Sequence, residues 1–196
     1  MNNTPKIYFV RHGYTDANAN GVILGDNNYP LNELGRNQAD AAGADLKSRG
    51  VKFDRVYASP YKRAIETAER ICKIVGYTGK IILDERLRER DFHDFVGMRY
   101  AKRGSTPTEN VDFDIVDFIY NREKKYDKSE SVEQCETRVH DFIRDLRTHY
   151  GGQNILCASH SLAMAHTRTI DKTPEYDDYR PIANGEILEI NNGGKQ

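Results

Sequence analysis

Apolar positions along this chain fall into two kinds of run, and the two kinds alternate. Short continuous runs centred on Ile7-Tyr8-Phe9-Val10, Val56-Tyr57-Ala58, Ile81-Ile82-Leu83 and Ile155-Leu156-Cys157-Ala158 are rich in β-branched, aromatic and small residues. Runs of that length predict strands buried on both faces of a sheet, over Lys6–Val10, Arg55–Ala58, Lys80–Leu83 and Asn154–Ala158. Glu186–Ile190 supplies a last strand. Between these runs the apolar residues recur every three or four positions. A helix is predicted over Asn32–Arg49, with Asn32 as N-cap and Gly50 just past its end. Its moderately apolar face suits it to cover one side of a sheet. Ala64, Ile65, Ala68, Ile71, Cys72 and Val75 mark a second helix, with Pro60 in its first turn and Gly76 after it. Val132, Cys135, Val139, Phe142, Ile143 and Leu146 mark a third, over 131–149, opened by a capping box of Ser131 and Gln134. A fourth is predicted over 161–170. Strands alternating with helices predict a three-layer α/β/α sandwich with a mainly parallel sheet. Residues 1–196 read as a single domain. Two stretches break the alternation. Residues 14–31, rich in Asn, Gly and Asp, predict a long loop. Residues 84–130, highly charged and weakly periodic, predict a lid or substrate-specificity insertion with one helix near 112–125.

Composition narrows the classes of function. Lys and Arg number 29 against 30 Asp and Glu, a formal net charge of -1, so no general polyanion-binding surface and no nucleic-acid partner is expected. Clustered arginines for a small anion are still compatible with that balance. Cys72, Cys135 and Cys157 lack metal-ligand spacing and read as reduced thiols. No apolar stretch approaches the length of a membrane span, and no signal pattern is visible at the N-terminus. The expectation is a soluble, cytoplasmic monomer or homodimer without a membrane partner.

Chemistry concentrates at strand ends. In an open α/β sheet, ligands bind in the crevice past the carboxyl ends of the strands. The first strand delivers Arg11 and His12 there, followed by Gly13, which lets the backbone turn and approach a ligand closely. The second is followed by Ser59-Pro60 and, a turn into the next helix, Lys62 and Arg63. The fourth ends in Ser159-His160-Ser161. Two arginines offer forked, charge-assisted hydrogen bonds to phosphoryl oxygens. A neutral histidine ring nitrogen is a competent nucleophile toward phosphorus. No glycine-lysine phosphate loop and no metal-ligand spacing is present, so a side chain is the expected nucleophile and no metal is expected.

The ordered elements resemble the histidine phosphatase superfamily, in the branch of cofactor-dependent phosphoglycerate mutases and related small phosphatases. Arg11-His12-Gly13-Tyr14-Thr15 with Asn18 resembles the signature Arg-His-Gly-Glu-Thr followed by Asn. Gly25, Pro30-Leu31-Asn32, Leu34-Gly35 and Gln38-Ala39 resemble its Leu-Thr-x-x-Gly-x-x-Gln-Ala element. Ser59-Pro60-Tyr61-Lys62-Arg63-Ala64 with Thr67-Ala68 is similar to its Ser-Pro-Leu-x-Arg-Ala-x-x-Thr-Ala helix. Leu87-Arg88-Glu89 with Phe95 and Gly97, Glu130-Ser131 with Arg138, and Ala158-Ser159-His160-Ser161 resemble three later elements. The resemblance implies that His12 forms a phosphohistidine, that Arg11, Arg63 and His160 surround the phosphoryl oxygens, and that Glu89 is the general acid and base. It also implies contacts from Asn18 at the pocket rim, with Gly25, Tyr14 and Ser161 as further candidates for the phosphate or substrate.

The departures bear on activity. Tyr14 stands where Glu or Gln is usual, Ser161 where glycine follows the second histidine, His93 where mutases have glycine, and Tyr100 where they have lysine. The paired arginines that mutases use for a substrate carboxylate have no counterpart between 104 and 121, and Arg99, Lys102 and Arg103 are the cations nearby. His140, His149 and His166 read as surface or packing residues. The expected function is a metal-independent phosphomonoester hydrolase acting on a small phosphorylated metabolite without a cofactor. The alternatives are a phosphoglycerate mutase, which alone would need 2,3-bisphosphoglycerate, and a non-catalytic phospholigand-binding domain.

Overall fold

The structure, a computed structural model, describes residues 4–26, 28–100, 127–171 and 182–190. Along the chain run β1 (Lys6–Arg11), α1 (Asp16–Ala19), α2 (Glu33–Ser48), β2 (Arg55–Ala58), α3 (Lys62–Val75), β3 (Ile81–Leu83), α4 (Val132–His149), β4 (Asn154–Ser159), α5 (Ser161–Ala165) and β5 (Ile187–Ile190). The strands form one sheet in the order β3-β2-β4-β1-β5. All neighbours are parallel except β5, which runs antiparallel to β1.

Period-two alternation splits each central strand between two cores. Ile7, Phe9, Tyr57, Ile155 and Cys157 face α4, packing on Val139, Phe142, Ile143 and Leu146. Phe142 meets Phe9 and Tyr57 edge-on, with ring centroids 6.3 and 5.4 Å apart. Tyr8, Val10, Val56, Ala58, Leu156 and Ala158 face the other way, onto Ala42 and Leu46 of α2 and Ala64, Ala68 and Ile71 of α3. Two helical layers therefore sandwich the sheet. Burial on both faces is why the central strands carry unbroken apolar runs.

Caps set the helix ends. The Asn32 side chain accepts from the Gly35 N–H, and Gly50 beyond α2 has φ +69. Ser131 and Gln134 exchange both bonds of a capping box at the start of α4. Gly76 closes α3 in the left-handed region. Three local readings need correction. Helix α3 begins at Lys62 with Tyr61 as N-cap, so Pro60 lies just outside the first turn. The helix expected over 161–170 is α-helical only to Ala165 and tightens into a 3-10 turn over His166–Thr169. The long loop over 14–31 contains α1, nucleated by a capping box between Thr15 and Asn18. The helix expected near 112–125 lies outside the described residues.

The front of the charged insertion packs close to the site. Ile23, Phe92 and Leu162 form a small apolar cluster, with Phe95, Val96, Met98 and Tyr100 against it. Backbone bonds tie the two segments: Ile23 N–H to Met98 O at 2.9 Å and Gly97 N–H to Ile23 O at 3.0 Å. Residues 92–100 are thereby held against 21–25, beside the start of α5.

Gly13 also has a packing role that the sequence did not show. A Cβ on Gly13 would lie 2.1 Å from the Gly35 carbonyl oxygen, and one on Gly35 only 2.0 Å from the Tyr14 oxygen. The two glycines let the start of α2 rest directly on the backbone beside His12. Gly35→Ala forces these backbones apart and is expected to destabilise the protein by about 3 kcal/mol, the upper range for overpacking. Urea unfolding measures this, and a loss below about 0.5 kcal/mol would show that the contact relaxes freely.

Candidate active site

Parallel pairing brings the first two basic groups together. Arg11 at the end of β1 pairs with Ser159 at the end of β4, and the His12 N–H donates to the Ser159 carbonyl at 3.0 Å. The next residue on each strand is a histidine, and the His12 and His160 rings meet edge-on with centroids 5.0 Å apart. Both are buried, with 3% and 0% of their surfaces exposed.

The tautomer of His12 follows from its hydrogen bond. Nδ1 lies 2.8 Å from the Gly13 carbonyl oxygen, which can only accept. Nδ1 therefore carries the proton, and Nε2 keeps the lone pair. Burial lowers the His12 pKa well below 6.5, and Arg63 and Arg11 add to the effect, outweighing the Gly13 bond. The ring is neutral and nucleophilic at physiological pH.

Arg63, in the first turn of α3, is 1% exposed and donates from Nη2 to the Gly25 carbonyl at 3.1 Å. Burial pushes its pKa down to about 10, against the favourable field of Glu89. Arg11 donates from Nη1 to the Ile182 carbonyl, while its buried Nε has no protein partner among the described residues. Burial lowers the Arg11 pKa too, and Glu89 again opposes the shift. Two cations in one desolvated corner call for an anion.

Glu89 lies within electrostatic reach of both arginines and is held by backbone. The Leu162 and Ala163 N–H groups donate to its carboxylate at 3.1 and 3.0 Å, and its neighbour Arg90 N–H donates at 2.9 Å. The segment bearing it is fastened from behind. Glu130 holds Arg138 at 2.6 and 2.8 Å, and Arg138 donates to the carbonyls of Arg86, Arg88 and Glu89. Ser159 Oγ adds a bond to Leu87 O at 2.7 Å. A cleft of about 990 Å³ opens beside Glu89, lined by Tyr61, Arg88, Asp91, Lys128 and Glu130 among others.

The remaining candidates divide. Asn18 is buried, and its Oδ1 accepts from the Thr15 N–H and hydroxyl, which leaves the amide NH₂ as the end able to face a ligand. Tyr14 is half-buried, donates its hydroxyl to Asn18 O at 3.1 Å, and lies with Tyr100 within electrostatic reach of Arg11. Gly25 touches Arg63 through its carbonyl. Ser161 does not present a free hydroxyl to the pocket: Oγ donates to Ile182 O at 3.2 Å and accepts from Ile182 N–H at 3.0 Å. It clips in place the segment that orients Arg11. His93 is exposed at φ +40, the one non-glycine residue with positive φ among the described residues.

Several supporting contacts escaped the sequence reading. Ser59 Oγ contacts His160 Nε2 at 2.8 Å, Thr67 Oγ1 accepts from the Gly13 N–H at 3.1 Å, and Asn184 Nδ2 donates to His12 O at 2.9 Å. For Ser59 and Thr67 the available signal was position, inside the motif that carries Arg63. For Asn184 there was none. His166, read as surface or packing, is 2% exposed, with its pKa lowered to about 3 by burial against the opposing field of Glu136. Among the described residues, no group of three or more His, Cys, Asp or Glu side chains is arranged to hold a metal ion, and no helix is long and apolar enough to cross a membrane.

Two outcomes are expected from this geometry. His12, His160 and His166 are neutral when folded, whereas an unfolded chain protonates them near pH 6.5. Below 6.5 the unfolded state binds more protons, so stability falls as pH falls. Each histidine contributes about 1 kcal/mol between pH 6.5 and 5.5, about 3 kcal/mol in all by the same linkage. Urea unfolding at both pH values measures the loss, and a flat response would mean that these rings protonate in the folded state. Separately, Arg138→Met releases the backbone behind Glu89 and is expected to lower kcat on the order of 10²-fold through misplacement of the carboxylate. Unchanged turnover in a folded variant would show that the N–H groups bonded to the Glu89 carboxylate hold it without Arg138.

Comparisons with known proteins show the family and the fold. The sequence model of the histidine phosphatase superfamily (branch 1) matches residues 7–194. A 2,3-bisphosphoglycerate-dependent phosphoglycerate mutase of Mesorhizobium japonicum is 33% identical over 162 residues, 79% of this chain and 75% of that protein. A Hydrogenobacter thermophilus protein provisionally named phosphoserine phosphatase 2 is 31% identical over 157 residues, 79% of this chain and 72% of its own. The solved structure of Bacillus stearothermophilus YhfR superposes with a TM-score of 0.78 at 24% identity, covering 97% of this chain and 92% of that one, a likeness of fold. The chain belongs to the histidine phosphatase superfamily, branch 1.

Proposed function

We propose that the protein is a metal-independent phosphomonoester hydrolase that works through a phosphohistidine on His12. The observation that carries the reading is the neutral His12 ring, with Nε2 unprotonated, buried within the field of Arg63 and Arg11. Nε2 attacks phosphorus, the P–O bond to the alcohol breaks, and a proton from Glu89 passes to the departing oxygen. Oε2 of Glu89 shares one N–H donor, from Leu162, whereas Oε1 takes three, so Oε2 has room for that proton. The phosphorylated ring is cationic, and its Nδ1–H stays on Gly13 O. Water then attacks phosphorus, Glu89 takes its proton, and inorganic phosphate leaves with His12 neutral again. Arg11 and Arg63 stabilise the charge on the equatorial oxygens in both steps. Asn18 adds a donor at the rim.

The substrate is a small phosphorylated metabolite. Mutase chemistry, in which the phosphoryl group returns to a phosphoglycerate, is the second reading, supported by the Mesorhizobium relative. Tyr100, within electrostatic reach of Arg11, counts against it, because a phenol stands where the mutases have lysine. No resident metal or organic cofactor enters the hydrolytic route, and the protein acts as a monomer or homodimer.

A panel of phosphomonoesters, including 3-phosphoglycerate with and without 2,3-bisphosphoglycerate, separates the readings when phosphate release and isomerisation are both assayed. His12→Ala is expected to abolish phosphate release. Glu89→Gln is expected to lower kcat on the order of 10²–10⁴-fold for alkyl esters and far less for aryl esters with good leaving groups. Isomerisation without phosphate release would replace the hydrolase with the mutase, and an equal loss on both ester classes would move the acid to another carboxylate.

A further inference from the structure

His160 is the one member of the buried cluster whose role its own contacts leave open. Its ring is fully buried, wedged between the His12 ring at 5.0 Å and the Tyr61 ring at 5.3 Å. Nε2 is 2.8 Å from Ser59 Oγ, and Nδ1 has no protein partner among the described residues. Burial first, then the nearby Arg63, His12 and Arg11, holds the ring neutral, so only one nitrogen carries a proton.

Ser59 decides which. Its side chain is fully buried at the end of β2, and its backbone N–H is spent on Ala158 O. Pro60 follows, so the next free N–H is that of Tyr61, which donates to Ser59 Oγ at 3.4 Å. Oγ thus accepts from Tyr61 and still has one hydrogen to place. His160 Nε2 is the acceptor in reach. Were Nε2 protonated instead, Oγ would accept twice, its own hydrogen would be buried with no acceptor, and Nδ1 would turn a bare lone pair toward a site built for an anion. That arrangement leaves two unpartnered groups, a hydroxyl hydrogen and a lone pair, where the other leaves one, the Nδ1–H that an anion would accept.

We infer that Ser59 is a positioning residue that fixes His160 as the Nδ1–H tautomer, making Nδ1 a neutral hydrogen-bond donor to a phosphoryl oxygen. The inference rests on the phosphohydrolase reading for its purpose, but the tautomer is a property of the resting protein. The device separates the two histidines. Both carry hydrogen on Nδ1, yet in His12 that hydrogen is tied to Gly13 O so that Nε2 can attack. In His160 Nε2 is tied to Ser59 so that Nδ1 can donate. Ser59 thereby adds a donor to the oxyanion site without a third positive charge beside Arg11 and Arg63, which the burial of those two would make costly.

Long-range ¹H–¹⁵N NMR on uniformly labelled protein reads the tautomer directly, before any turnover. At pH 7 the wild type is expected to show His160 with a protonated-type Nδ1 and an unprotonated-type Nε2, and inorganic phosphate is expected to shift the Nδ1–H resonance downfield. In Ser59→Ala the two nitrogens are expected to move toward a tautomer mixture, and kcat/KM to fall about 10- to 100-fold, as when other groups that orient a histidine are removed. Ser59→Thr, which keeps the hydroxyl, is expected to restore the wild-type pattern. Nε2–H in the wild type would overturn the inference, as would Ser59→Ala with an unchanged tautomer, or phosphate that leaves Nδ1–H unmoved. Should the wild type release no phosphate from any ester, the hydrolase reading fails, and the NMR of the free and phosphate-bound protein still decides the tautomer. Should Ser59→Ala not fold, those wild-type spectra decide alone.

Discussion

The parallel pairing of β1 with β4 is the constraint on which the site depends. These strands are adjacent in space although about 140 residues separate them, and their register sets Arg11 against Ser159. One residue further, His12 and His160 leave the sheet together, with the His12 N–H still on the Ser159 carbonyl. A slip of one residue would reverse every side chain of β1 between the two cores, moving Phe9 from Phe142 toward α3 and Val10 the other way. Both faces of β1 are packed, so that slip is strongly opposed. The spacing of the two histidines is therefore set by core packing on either side of the sheet, well below the site itself.

Electrostatics then explains why the pocket is shaped as it is. Arg11 and Arg63 are kept out of water and near each other, at a cost reflected in the lowered pKa of each. The same burial, together with the two cations, keeps both imidazoles neutral. The carboxylate of Glu89 is the counter-charge that acts most on both, and backbone N–H groups of α5 hold it. The Nε of Arg11, which has no protein partner among the described residues, is left for an incoming anion. Arg138, paired with Glu130 at the wall of the cleft, holds the Glu89 segment by its carbonyls.

Much of this was legible beforehand. The strand runs, the main helices and their caps, and the residues Arg11, His12, Arg63, Glu89 and His160 stood out because each lies in a local pattern: an apolar run ending in a basic residue, a Ser-Pro turn, a Leu-x-Glu segment. Ser161 and Gly13 make structural contacts that their local pattern does not show. A hydroxyl or a glycine beside a catalytic motif reads as serving the ligand. The Ser161 hydroxyl is spent on Ile182, and Gly13 lets Gly35 approach. Helix α1 was missed because its four residues are too few to show a period, although the Thr15–Asn18 capping box was present in the sequence.

By itself the sequence determined which segments are strands and helices and which faces they bury, and it named the basic side chains that the fold gathers at the strand ends, since these depend on local periodicity and residue type. Only the tertiary structure decided how those side chains are used. Whether a histidine nitrogen attacks or donates depends on which oxygen lies beside its other nitrogen. For His12 that oxygen is the carbonyl of Gly13, and for His160 it is the hydroxyl of Ser59, about 100 residues away in the chain. Hydrogen bonds of that kind depend on distance and angle across the folded sheet, and neither is encoded in the spacing of residues along the sequence.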